Sequence, residues 1–164
     1  MVPVTDHRRG RLLALALLSG LFPLLSSCTL VEEATMNPPE ARDSLIRTIE
    51  DTAARLDVEG WNRDHAAEVG NCGARRGERV NYAYGYGAPP PARDHAADAR
   101  SVAEYWESLG MRVRVVEYPH FVVYATGGPV EGLAFSTAPG DYYISGTSLC
   151  VPGDADEIRK QDNG

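Results

Sequence analysis

The apolar positions of this chain fall into three spacings, and each change of spacing marks an expected change of structure. Residues 12–25 form an uncharged apolar run that follows Arg8, Arg9 and Arg11. Farther on, Leu45, Ile49, Thr52, Ala53 and Leu56 recur at helical spacing and predict a helix that runs to about Asp57. Its start is expected at Asn37-Pro38-Pro39-Glu40, where Asn can cap, Pro suits the first turn and Glu stands three residues after the cap. The opposite face carries Arg42, Asp43, Arg47, Glu50, Asp51 and Arg55, a mixture of signs that reads as solvated. From Arg79 the period drops to two. Val80, Tyr82, Tyr84 and Tyr86 alternate with Arg79, Asn81, Ala83 and Gly85, which predicts a strand. Between helix and strand, Trp61 and Val69 anchor a loop or short strand bearing Cys72, with Gly70, Gly73 and Gly77 interrupting any regular pattern.

A second helix is expected where Ala96, Ala99, Val102, Ala103, Trp106 and Leu109 share a side, with Gly110 suited to a left-handed C-cap. Four strands follow as a meander: Met111 to Tyr118, Phe121 to Thr126, Val130 to Thr137 and Tyr142 to Cys150. Pro119-His120, Gly127-Gly128 and Ala138-Pro139-Gly140 mark the turns between them. The order predicts an α+β fold, with two helices packed on one face of a mainly antiparallel sheet of about five strands as a two-layer sandwich. The domain is expected over residues 37–153. Residues 154–164 read as a polar flexible tail with nothing to bury.

The N-terminal run is too short for the roughly 20 residues a bilayer-spanning helix needs, and Gly20 and Pro23 break it further. Arginines before a short apolar stretch are the layout of a secretory signal. At its end Leu25-Ser26-Ser27-Cys28 resembles the lipobox of bacterial lipoproteins. That resemblance implies cleavage after residue 27 and a thioether-linked diacylglycerol on Cys28, with residues 28–36 as a tether. Two acyl chains make a stable anchor where one is reversible. Export is expected by the general secretory path, with a twin-arginine route as the alternative, since Gly10 and Arg11 follow the arginine pair.

Charge narrows the partners. The chain carries −7 in all, and residues 1–27 contribute three arginines against Asp6, or +2, so the remainder stands at −7 − 2 = −9. Such a body has no counterion-releasing face for nucleic acid and no basic surface for anionic lipid. Its expected partners are the membrane, through the lipid on Cys28, and an envelope protein or glycan. Lys160 is the only lysine, which leaves no Schiff-base lysine, Ser-Lys dyad or phosphate-gripping loop in the domain. With Cys28 committed to lipid, Cys72 and Cys150 remain in an oxidising compartment and are expected to pair.

Little else points to chemistry. His65, His95 and His120 lack metal-ligand spacing, although Asp64 and Asp94 precede the first two, and no metal or cofactor is expected. Gly85-Tyr86-Gly87 lacks the further glycine and lysine of a nucleotide loop. Ser145, Thr147 and Ser148 sit at a strand end, outside any nucleophile elbow. Asp94 with Asp98, and Glu104 with Glu107, share helix faces and read as solvated acids. Tyr82, Tyr84 and Tyr86 are the candidate ligand contacts, because a row of tyrosines offers apolar faces and polar tips to a sugar or peptide. The competing reading has them filling the packed side of the sheet.

The lipobox, the acidic arginine-rich body, the segment WESLGMRV at residues 106–113 and the hairpin STAPGDYYISGTSLC at residues 136–150 together resemble small actinobacterial cell-envelope lipoproteins of the LppA-like group. The resemblance implies an exported protein, lipid-anchored on the outer face of the cell membrane, and supplies no catalytic residues. The leading expectation is a non-enzymatic envelope binding protein. A tyrosine-based sugar or peptide module and a histidine-dependent hydrolase are the alternatives.

Overall fold

In the computed structural model, which describes residues 36–63 and 65–162, Asn37 closes the start of α1 (Pro38–Ala53) by a reciprocal pair of hydrogen bonds. Its side chain accepts from the Glu40 amide at 3.0 Å, and Glu40 Oε2 accepts from the Asn37 amide at 2.9 Å. Two orphan helix donors are thereby satisfied. The helix ends four residues before the expected Asp57, because the amides of Arg55 and Leu56 donate to carbonyls only three residues back. Leu56 nonetheless stays in the core. The signal, Cys28 and the tether up to residue 35 lie outside the described residues.

The chain continues through β1 (Asn62–Arg63), β2 (Glu68–Asn71), β3 (Arg79–Ala88), α2 (His95–Ser108), β4 (Arg112–Val116), β5 (Val122–Thr126), β6 (Gly132–Ala138), β7 (Asp141–Thr147), β8 (Val151–Pro152) and α3 (Ala155–Asp162). The fold is α+β, and every strand pairing is antiparallel. The sheet has eight strands where about five were expected. β4 to β7 are the expected meander. The additional strands are short pieces flanking β3: β1 and β2 pair with it on one side, and β8 continues the line of β7 on the other. β7 and β8 are separated where Ser148 replaces a ladder rung. Its amide donates to the Tyr82 carbonyl and its hydroxyl accepts from the Tyr82 amide, each at 2.9 Å.

α1 lies against β3 and β7, and α2 against β4, β5 and β6. Leu45 and Ile49 of α1, Val102 and Trp106 of α2, and Val123, Phe135 and Ile144 of the strands are completely or almost completely buried in one shared core. The helices are tied by a buried relay: Trp106 Nε1 donates to Thr52 Oγ1 at 2.9 Å, which donates to the Thr48 carbonyl at 2.7 Å. The relay satisfies the buried Trp106 and Thr52 donors, as a water-free interior demands, whereas Trp61 Nε1 is buried without a partner among the described residues.

The segment expected to be a polar tail forms α3 instead. Asp154 accepts from the amides of Asp156 and Glu157 and so caps it. Ala155 is fully buried beside Ala41, Val80 and Val151, and Arg159 donates to the Val69 carbonyl of β2 at 2.7 Å. The composition was polar because only one side of this single short helix meets the body. Cys72 and Cys150 are joined by a disulfide with a Cα–Cα distance of 6.0 Å, closing a loop of 78 residues. On the chain-entropy view such a crosslink is worth about 4 kcal/mol.

Candidate functional site

The tyrosine row of β3 faces inward. Tyr82 and Tyr84 are each 3% exposed, and Tyr86 is partly buried, stacked on Trp61 at 5.4 Å between ring centroids. Tyr84 also donates its hydroxyl to Glu50 of α1 at 3.3 Å. Tyr82 and Tyr84 are therefore buried against the rest of the core instead of forming the exposed row expected of ligand contacts, and Tyr86 is only partly covered. β3 runs beneath α1, so the alternate positions that share a side are the ones this helix covers.

The strand positions between these core residues build a different surface, and the register places its members in rungs. One rung runs Gly85, Ser145, Ala134, Tyr124, Arg114 across β3, β7, β6, β5 and β4. The next runs Glu68, Ala83, Thr147, Gly132, Thr126, Arg112. The centre of both rungs consists of glycine, alanine, serine and threonine. Small side chains there leave a cleft of about 680 Å³ whose floor is the sheet itself.

Two tyrosines border this floor. Tyr143 runs along β3: a Cβ on Gly87 would stand 3.2 Å from ring Cδ2, and one on Gly85 would collide with the phenolic end. Glycine at position 85 is required for the ring to run along β3, and a side chain at 87 would press on it. On the far side Tyr124 is 40% exposed, and the Arg114 guanidinium sits 4.6 Å from its ring centroid across the β4–β5 pair, which orients the ring. His65, Glu68 and Glu131 stand around the rim, with His65 Nδ1 3.8 Å from Glu68 Oε1. Among the described residues the hydroxyls of Thr126, Ser145 and Thr147 have no protein hydrogen-bond partner.

No protein-family model, curated protein or solved structure matches this chain.

Other sequence candidates fall away from the cleft or into the scaffold. His95 Nε2 contacts the Pro91 carbonyl at 3.0 Å, and its ring lies 5.4 Å from that of Tyr142. His65 Nδ1 lies 2.9 Å from the Ala66 carbonyl, and among the described residues no histidine hydrogen-bonds to a serine. Asp64 lies outside the described residues. Asp94 caps α2 by accepting from the Ala96 amide at 2.9 Å.

Asp98 is not the solvated acid the sequence suggested. It is 8% exposed, receives two hydrogen bonds of 3.0 Å from Arg93, and accepts one from the Tyr142 hydroxyl. Burial raises the Tyr142 phenol above its ordinary pKa, and the bond to Asp98 adds to the rise. This closed cluster fastens the start of α2 to β7 and presents no reactive group outward. Glu104 and Glu107 remain exposed.

Proposed function

We propose that the chain is an exported lipoprotein, held by diacylglycerol on Cys28 at the outer face of the cell membrane, that binds an envelope component in the open cleft of its sheet. The fold is read as two layers, helices on one side and the cleft on the other, so the ligand-facing side is the one that no element among the described residues covers. One observation carries the binding reading: the cleft floor offers serine and threonine hydroxyls that have no hydrogen-bond partner among the described residues. A buried sheet face would have paired them or replaced them with apolar side chains. Anchoring rests on the sequence, where Leu25-Ser26-Ser27-Cys28 matches the lipobox pattern and the acidic remainder has no other hold on a membrane. The reading is non-enzymatic, and its partner is an envelope protein or glycan.

The two halves are tested in one set of cells. Cys28→Ser is expected to move the protein from the detergent phase to the aqueous phase and to remove the mass of the acyl chains. A photoreactive residue at Thr126, in the cleft, is expected to crosslink an envelope component in intact cells, while the same residue at Arg47 on the solvent side of α1 is not. Unchanged partitioning of Cys28→Ser overturns the anchor, and equal or absent capture at both positions overturns the binding site.

A further inference from the structure

Resting on the cleft reading above, we infer that the ligand is a neutral saccharide whose pyranose ring stacks on Tyr143 and whose hydroxyls bond to Ser145, Thr147, Glu68 and Glu131. Three observations converge on that chemistry. Tyr143 runs along β3 from Gly87 to Gly85, whose lack of Cβ atoms makes room for it, so its ring lies in the lining of the cleft. A sugar ring has an apolar C–H face that packs on such a surface. Beside the ring, Ser145 and Thr147 are successive cleft-facing positions of β7, roughly 7 Å apart along the strand. Their unpartnered hydroxyls donate and accept, as a ring of hydroxyls requires.

The charged groups complete the argument. Among the described residues the cleft lining holds Glu68 and Glu131 and no Lys or Arg, while Arg112 and Arg114 stand on β4 at the far end of the two rungs. Arg114 is turned to the Tyr124 ring instead. Carboxylates accept hydrogen bonds and cannot donate them at neutral pH, so they suit a ligand that brings O–H donors. They oppose phosphates, uronates and other anions by like charge, a repulsion that the acidic body reinforces. An extended peptide is less well served. It would need an unpaired strand edge for its backbone, whereas the floor strands β7, β6 and β5 are each paired on both sides.

The test uses the full-length chain in detergent micelles, titrated calorimetrically with maltotetraose, mannotetraose and cellotetraose, with tetragalacturonate and tetralysine as charged counterparts. At least one neutral tetrasaccharide is expected to bind, and neither charged probe to bind as tightly. Tyr143→Ala should weaken binding by about tenfold, and Tyr143→Phe should hold it within about threefold, because the ring is what stacks. Ser145→Trp fills the floor without touching the core and should abolish binding, which keeps the test decisive if Tyr143→Ala fails to fold. No heat with any neutral probe overturns the saccharide assignment, as does tighter binding of tetralysine or tetragalacturonate, or binding indifferent to Tyr143→Ala and Ser145→Trp. Selective capture of a protein at Thr126 in cells, with no saccharide bound, would overturn this inference and leave the cleft reading standing. Failure of capture as well would remove both.

Discussion

The two sides of the sheet are made from opposite classes of residue on the same strands. Toward α1 and α2 stand Tyr82, Tyr84, Val123, Phe135, Tyr142 and Ile144, none more than 3% exposed. On the cleft side the alternating positions are Ala83, Gly85, Tyr124, Ala134, Ser145 and Thr147. Large apolar side chains stabilise by removing surface from water and by filling space with close contacts. Small and hydroxylic ones leave space and unpaired polar atoms. Because the pleat sends neighbours to opposite sides, a residue that holds the fold and a residue available to a ligand can be consecutive, as Ile144 and Ser145 are. Stability and binding should then respond to different members of a single strand.

The largest expected effect breaks the covered side. Trp106 is completely buried and its Nε1 donates to Thr52, so Trp106→Ala loses volume and leaves Thr52 without a donor. A loss of about 3–5 kcal/mol is expected, read as a lower urea midpoint. A loss under about 1 kcal/mol would mean that the covered side does not carry the stability.

Next comes the cluster that pins α2 to β7. Asp98→Ala removes the acceptor for both Arg93 and the buried Tyr142 hydroxyl and should cost about 1–3 kcal/mol. The same cluster sets an alkaline limit. The Tyr142 pKa in the folded chain is raised, while in the unfolded chain it titrates near its ordinary value of about 10. Its contribution is therefore fully present below about pH 10 and is lost as pH climbs toward the folded value, because the unfolded chain releases its proton first. Burial raises Tyr82 too, so Tyr142→Phe should flatten the alkaline fall in denaturation midpoint without abolishing it. An unchanged fall in Tyr142→Phe would remove Tyr142 from the account.

The covered side was the more legible in sequence, since large apolar residues announce themselves by period. The 3.6 spacing of Leu45, Ile49 and Thr52 and the alternation of Tyr82, Tyr84 and Tyr86 located α1 and β3, and the Asn-Pro-Pro-Glu start located the cap. Period alone cannot say which side of a strand a helix will cover, so the tyrosine row was a candidate site until α1 was seen to cover it. The cleft was harder to find, being defined by what its residues lack. A signal was nevertheless present: Tyr142 and Tyr143 are adjacent in a strand, so one of them had to face away from the core, and Gly85 and Gly87 alternate with the tyrosines opposite. β1 and β2 fall where the sequence left a loop or short strand open around Trp61 and Val69, while α3 was missed because it is short and polar and takes its place by leaning on β2. Asp98 looked solvated because its partners, Arg93 and Tyr142, lie on a loop and a distant strand.

A smaller effect tests the join between the two sides. Gly85→Ala places a Cβ where the Tyr143 phenol lies, but that ring is only partly buried and can swing outward. The stability cost should be about 1 kcal/mol, while the ring's course along β3 is lost. The substitution is expected to weaken saccharide binding nearly as much as Tyr143→Ala does. Binding unchanged in Gly85→Ala would show that the ring's course along β3 is irrelevant to the ligand.

The smallest expected effect on stability is also the sharpest form of the comparison. Ile144 and Ser145 are consecutive in β7, one completely buried and the other on the cleft floor. Ile144→Ala removes buried volume and should cost about 2–5 kcal/mol. Ser145→Ala removes only a hydroxyl that no described residue engages, so its midpoint should stay within about 0.5 kcal/mol of the parent. In binding the order should reverse. Below its own unfolding midpoint Ile144→Ala keeps the cleft-side residues and should bind as the parent does, whereas Ser145→Ala loses a donor and acceptor to the ligand and should bind severalfold more weakly. If Ser145→Ala proves as destabilising as its neighbour, that hydroxyl belongs to the scaffold, and the separation of the two sides fails at the residue where it is most directly measured.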